Sequence, residues 1–110
     1  MRFVDTNVLL YSISTEPAES GWADVASGLL DSADLALSVQ VLQEFYVQAT
    51  HRKRSDALSH QDALALVATW LRYPVYETTV QLMRAAATCA ERWRISYWDA
   101  AVVEAARALG

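Results

Sequence analysis

Arg2-Phe3-Val4-Asp5-Thr6-Asn7-Val8-Leu9-Leu10-Tyr11 opens the chain: a short apolar run ends on an acid and passes at once into a second one. Arg2 to Asp5 reads as a short buried strand, and Asn7 to Ser12 as a short helix carrying Val8, Leu9, Leu10 and Tyr11. The same strand-to-helix order recurs. Leu35 to Leu37 is a second short strand, and Ser38 is placed to N-cap a helix reaching about Thr50. Tyr73 to Tyr76 is a third, started at Pro74 and therefore expected near a sheet edge. Thr79 then caps a helix to about Arg94, with Val80, Met83, Ala87 and Ala90 on one side.

Between these units, residues 14–20 form a polar loop around Pro17. A helix is expected from Trp22 to Asp31, with Trp22, Val25, Leu29 and Leu30 at near-helical spacing. His51-Arg52-Lys53-Arg54 closes the preceding helix, where positive charge complements the C-terminal dipole. Ser59 with Asp62 makes a capping-box pattern opening a helix to Arg72, whose apolar face is Leu64, Val67 and Leu71. A last helix starts after Ser96 and ends at Gly110, which has the character of a C-cap. Strands alternating with helices imply a parallel sheet covered on both faces.

Composition narrows the function. At 110 residues, 54% hydrophobic and 20% charged, the chain has the balance of one globular domain. The longest largely apolar run, Ala63 to Leu71, is far short of the ~20 residues a membrane span requires. Asp5 interrupts the N-terminus before an apolar signal region forms. Cys89 is the only cysteine, which excludes an internal disulfide and a cysteine-based metal site and makes a reducing cytoplasm the expected compartment. A net charge of −4 does not suit a domain that merely coats phosphates. It does suit a nuclease whose carboxylates hold cations that in turn meet the phosphate.

Three acids draw notice by position. Asp5 lies at the carboxyl end of a strand, where open α/β sheets bind ligands; it is equally placed to N-cap the next helix. Glu44 shares an i, i+4, i+8 stripe with Gln40 and Gln48, the pattern of a solvated helix face. Asp99 stands three residues past Ser96, as in an ordinary capping box. Asn7 could support Asp5 or bind a water. Together the acids recur near the starts of three helices in a βα layout. Converging carboxylates repel unless a cation lies between them, and oxygen-only ligands favour Mg²⁺ or Mn²⁺ over zinc. His51 and His60 fall outside this group, as surface residues.

These stretches resemble a known family. Phe3-Val4-Asp5-Thr6-Asn7-Val8-Leu9-Leu10-Tyr11 is similar to the opening motif of PIN domains, particularly the VapC-type toxins of bacterial toxin–antitoxin modules. Ser38-Val39-Gln40-Val41-Leu42-Gln43-Glu44-Phe45-Tyr46 resembles the central motif, and Ile95-Ser96-Tyr97-Trp98-Asp99-Ala100 the third. The resemblance spans the chain as a single domain, residues 1–110. It implies a three-layer α/β/α sandwich with a central parallel sheet and a Mg²⁺- or Mn²⁺-dependent endoribonuclease. The implied metal carboxylates are Asp5, Glu44 and Asp99, which are also the implied catalytic residues, with Thr6 and Asn7 as accessory site residues. RNA is the implied substrate, a small antitoxin the implied partner, and a homodimer the implied assembly.

The family's pattern continues past the equivalent of Ala108-Leu109-Gly110 into a strand with a fourth acid, then a further short strand. The expectation is a C-terminally incomplete domain, with an open edge beside the strand that carries Asp5. Two competing readings stay open: a catalytically weak PIN scaffold serving antitoxin binding or dimerisation, and a phosphoryl-transfer enzyme using Asp5 as nucleophile. The last would want a second aspartate where Asn7 stands. Trp98 and Tyr97 could stack on bases, but packing in a core or dimer is the plainer role. The stretch from His51 to Arg54 could likewise touch RNA phosphates.

Overall fold

Three short parallel strands lie side by side in the order β1–β2–β3, with β1 Arg2–Phe3, β2 Leu35–Ser38 and β3 Val75–Tyr76. They belong to a computed structural model that describes residues 2–32 and 34–110. Arg2 pairs with Leu35 and Phe3 with Ala36, while Leu37 pairs with Val75 and Ser38 with Tyr76. The register extends beyond the strands through Val4 N–H to Ala36 O and Leu37 N–H to Pro74 O, each 2.9 Å. Among the described residues β1 and β3 are the two edges, so the proline-led third strand takes the edge position expected of it.

Helix α1 (Thr6–Ser12) leaves β1, and α2 (Ser20–Leu30) returns toward β2. Between them the expected loop contains a single 3-10 turn at Pro17–Glu19, because proline at its start has φ preset for the turn. Helix α3 (Val39–Ala49) follows β2, then α4 (His60–Trp70), β3, α5 (Val80–Trp93) and α6 (Tyr97–Leu109). The side chains of Ser38, Ser59, Thr79 and Ser96 each accept the backbone N–H three residues on, at 3.0–3.2 Å. Each such cap is worth roughly 1 kcal/mol.

The alternation of β2 decides how the layers stack. Leu35 and Leu37 enter a core with Val4, Leu9, Leu10, Val41 and Phe45. Ala36 therefore faces the other side, where α6 packs on β2 and β3. There the side chains are small: Ala100 and Ala101 meet Ala86 and Cys89, and α5 lies against α6. On the larger side Phe45 meets Trp70 edge to face, with centroids 4.7 Å apart. The Tyr73 hydroxyl donates to the Leu30 and Ser32 carbonyls, sealing the end of α2 against the chain leaving α4.

The helices stand close to where the sequence places them, but their buried faces differ. On α2 the buried side chains are Ala26 and Leu30, and Trp22, Val25 and Leu29 are exposed. On α4 they are Ala63 and Trp70, with Leu64 and Leu71 outside. On α5 they are Leu82, Ala86 and Cys89, with Val80 and Met83 outside and Ala90 half-buried. The reason is common to all three. An alanine on each claims part of the buried face, and the inner face is turned about one position from the one the larger apolar residues suggest. Helix α3 stops at Ala49 with Thr50 as its C-cap, so His51 to Arg54 lies beyond it rather than in its last turn. Those residues form a turn in which Arg54 Nε meets Asp56 at 2.7 Å.

Asp56 also ties this turn to the segment after α1. Its carboxylate accepts the Thr15 N–H at 2.9 Å and the Thr15 hydroxyl at 3.2 Å. The Thr15 N–H first, then the Arg54 charge and the Thr15 hydroxyl, hold the Asp56 carboxyl below the ordinary value of 3.8. A depressed folded-state value contributes stability that is present above 3.8 and lost as pH falls through the lowered value. Asp56→Asn is accordingly expected to be less stable than the parent at neutral pH. Denaturant titration should show that gap closing once the pH drops below the parent's folded-state value; a gap unchanged into strong acid would refute the tether.

Arg94 caps α5 in the left-handed region, φ 53°, with its N–H on the Ala90 carbonyl. A non-glycine residue there costs about 1–2 kcal/mol. Arg94→Gly is expected to raise stability by roughly 1 kcal/mol in urea unfolding, and a loss of stability would contradict that conformation.

Candidate active site

The carboxyl ends of β1 and β2 and the start of α6 come to the same side of the molecule. Asp5 follows β1 by two residues and caps α1, its Oδ1 accepting the Thr6 N–H at 2.7 Å. Its other oxygen is left to the solvent side, for Asp5 is exposed. Thr6 turns inward and is buried. Glu44 stands midway along α3, half-buried, and Asp99 in the first turn of α6, exposed.

Hydrogen bonds join these three places through Glu44. The Thr6 hydroxyl donates to Glu44 Oε2 at 3.0 Å, across 38 residues of sequence. The Gln40 amide donates to Glu44 Oε1 at 3.0 Å and reaches the Trp98 carbonyl at 3.3 Å. Glu44 is thus linked to the residue after Asp5 and, through Gln40, to the residue before Asp99. The α3 stripe is not a uniformly solvated face: Gln40 is buried at 8% exposure, Glu44 half-buried and Gln48 exposed. Only its far end is solvated.

Asp99 forms half of the expected capping box. Ser96 Oγ accepts the Asp99 N–H at 3.0 Å, and the Asp99 carboxylate makes no return bond among the described residues. Asn7 makes no bond to Asp5, whose capping oxygen is already taken by the Thr6 N–H. It lies exposed on the rim of a cavity shared with Leu10, Tyr11, Glu19 and Arg54. Trp98 is 64% exposed and so is not a core residue; it meets Tyr97 edge to face at 5.0 Å. His51 and His60 are exposed, His60 Nδ1 sharing a hydrogen bond with the Tyr46 hydroxyl.

The donor set is one of hard oxygens. Each Glu44 oxygen carries one hydrogen bond and keeps a second lone pair, and Asp5 and Asp99 each present free carboxylate oxygens. That chemistry fits a hard divalent cation. Cys89, the one thiol, is buried between α5 and α6. Among the described residues no three carboxylate, histidine or cysteine side chains are drawn close enough to close a metal site.

A family model described as "PIN domain" matches residues 2–110. The chain belongs to the PIN domain family. No curated protein sequence matches it. PIN domains are generally nucleases and usually use divalent metals, so a nuclease-type function and the α/β fold with a small parallel sheet follow from the family. Among the described residues no helix is long and apolar enough to cross a membrane.

Gln40 is the site residue that its sequence position alone does not single out, being read there as part of a solvated stripe. The signal was available: Gln40 lies one turn before Glu44 and in the first turn of the helix that leaves β2. An amide at that point faces whatever packs over the carboxyl end of the strand. If the Thr6–Glu44 bond has the strength usual for a charged acceptor, a double-mutant cycle of Thr6→Val with Glu44→Gln should give a coupling of about 1.5–3 kcal/mol in chemical unfolding. Additive effects would show that the bond contributes nothing.

Proposed function

We propose that this PIN domain is an endoribonuclease of the VapC toxin type, acting in the cytoplasm. It hydrolyses RNA phosphodiesters to 5′-phosphate and 3′-hydroxyl ends, with Mg²⁺ or Mn²⁺ held by Asp5, Glu44 and Asp99. The observation that supports this most is the half-buried relay from Thr6 through Glu44 and Gln40 to the Trp98 carbonyl. A satisfied network of this kind rigidifies what it holds, and here it holds an acid in one orientation.

In this reading the chain's residues have separate roles. Thr6 and Gln40 fix the Glu44 rotamer in advance, so no side-chain freedom is lost when a ligand arrives. Asp5 is held by its own helix N-terminus, and Asp99 projects from the start of α6 with both oxygens free. The divalent cation, when bound, supplies polarisation of the phosphodiester and activation of the attacking water. Asn7, exposed beside Asp5, meets the strand of the substrate. The proposed partners are a small antitoxin that covers the site and a second copy of the chain.

Asp5→Asn, Glu44→Gln and Asp99→Asn should each abolish cleavage of single-stranded RNA while keeping the circular dichroism spectrum. Chelation should stop the parent, and Mn²⁺ should restore it. Gln40→Leu should weaken activity or metal affinity by about 10–100-fold, as loss of a ligand-orienting group does. Undiminished cleavage in all three acid variants disposes of the assignment.

One observation favours a second reading, a PIN scaffold whose task is to hold a protein partner. Val39, Leu42, Val47, Leu64 and Val67 line an open apolar groove between α3 and α4. Calorimetry separates the readings, since a pure binding module gives no heat with millimolar Mn²⁺.

A further inference from the structure

The cavity beside Asn7 has a lining the reaction described above does not use. It measures about 150 Å³ and is walled by Asn7, Leu10, Tyr11, Glu19 and Arg54. That is room for a group of several waters' size, enough for one planar base. Tyr11 is half-buried, stacks on Trp22 at 5.9 Å and puts one aromatic ring in the wall.

The polar groups around this cavity have bonding capacity to spare. Arg54 Nε is buried 2.7 Å from Asp56 in an ion pair that lacks hydrogen-bond geometry, and the two terminal nitrogens make no hydrogen bond among the described residues. Glu19 Oε1 accepts the Ser14 hydroxyl at 2.6 Å, and among the described residues neither Oε2 nor the Asn7 amide has a partner. The wall is itself braced: Asp56 holds Thr15, and the Ser55 hydroxyl donates to Glu16. The segment carrying Glu19 and the turn carrying Arg54 are therefore cross-linked to each other.

A carboxylate and a guanidinium facing one small cavity exclude a phosphate as the best occupant, because Glu19 would repel it. They call for a ligand with donors on one edge and acceptors on another. Among the bases guanine meets this most fully. Its N1–H and N2–H₂ offer a carboxylate two donors, and its O6 and N7 are the acceptors that arginine forks grip. Adenine and cytosine offer a carboxylate only one amino group. Splaying a single base from the strand onto an aromatic wall is the ordinary way in which single-stranded RNA is read.

We propose that the cavity of Asn7, Tyr11, Glu19 and Arg54 is a subsite for one guanine base of the RNA strand presented to Asp5, Glu44 and Asp99. Glu19 accepts from the Watson–Crick edge, Arg54 donates to O6 and N7 on the adjoining edge, and Asn7 stands two residues from Asp5. The inference rests on the ribonuclease reading for its strand, but the pocket can be tested without cleavage.

The four ribonucleoside 5′-monophosphates, titrated into the full metal-free chain, provide that test by ¹H–¹⁵N NMR. Guanosine monophosphate is expected to shift Asn7, Tyr11, Glu19 and Arg54 and to bind about tenfold or more tighter than the other three. Glu19→Gln, near-isosteric and away from the Asp56 brace, should erase that preference. Equal binding of all four nucleotides overturns the proposal, since it marks a phosphate contact alone. Cleavage of an RNA with randomised positions gives the second reading. A guanine preference at one position relative to the cut should flatten in Glu19→Gln, judged by the ratio among bases and not by the rate. Base-selective nucleotide binding without any RNA cleavage would sink the ribonuclease reading and keep the subsite. Cleavage with a base preference indifferent to Glu19 would do the reverse.

Discussion

Glu44 is where two parts of the molecule that share no covalent neighbourhood are bound together. Its carboxylate accepts a hydrogen bond from the Thr6 hydroxyl at the head of α1 and another from the Gln40 amide on its own helix. Gln40 in turn reaches the backbone at the head of α6. A half-buried carboxylate without donors would cost several kcal/mol in desolvation. With two, it becomes a fixed point around which the helix starts are arranged. Asp5 and Asp99 need no donors of that kind, since both are exposed and solvated. The three acids are thus unequal: one is positioned by side chains, and two by the helix ends on which they stand.

The same asymmetry explains what could be read from the sequence. Caps were legible because their chemistry is local: Ser38, Ser59, Thr79 and Ser96 each bond within three residues. Strand order was partly legible, since Pro74 cannot donate in a central ladder and its strand lies at an edge. Buried helix faces were not. Size-based reading favours Trp22, Val80 or Leu64 for the core, yet close packing at α5 and α6 is made by Ala86, Cys89, Ala100 and Ala101. Apolar periodicity reports that a helix has an inner face. It cannot report how near the neighbour comes, and nearness decides whether alanine or tryptophan fits.

Long-range polar links lay outside local reading for a related reason. The pairing of Thr6 with Glu44 spans 38 positions and that of Gln40 with Trp98 spans 58. Neither leaves a mark in spacing. The sequence argues for acids near helix starts, but Glu44 stands midway along α3; only the fold makes Gln40 an inward residue while Gln48, two turns on, is exposed. The basic stretch after α3 shows the converse. Local charge suggests that His51 to Arg54 stabilises a helix end, but α3 has already terminated at Thr50, and Arg54 is drawn instead to Asp56.

That displacement changes what an arginine can do. At the end of a helix dipole its charge would be spread over carbonyls and screened by solvent, worth a few tenths of a kcal/mol. Paired with Asp56 at Nε, the guanidinium is drawn to one place and keeps its terminal nitrogens available to an acceptor. Asp56 can hold it because Asp56 is itself held by the Thr15 backbone, across 41 residues. An acidic chain can therefore carry a polar recognition surface without being basic as a whole. Each charge it presents is paid for locally by a bound partner, and selectivity then comes from where the free atoms point rather than from net charge.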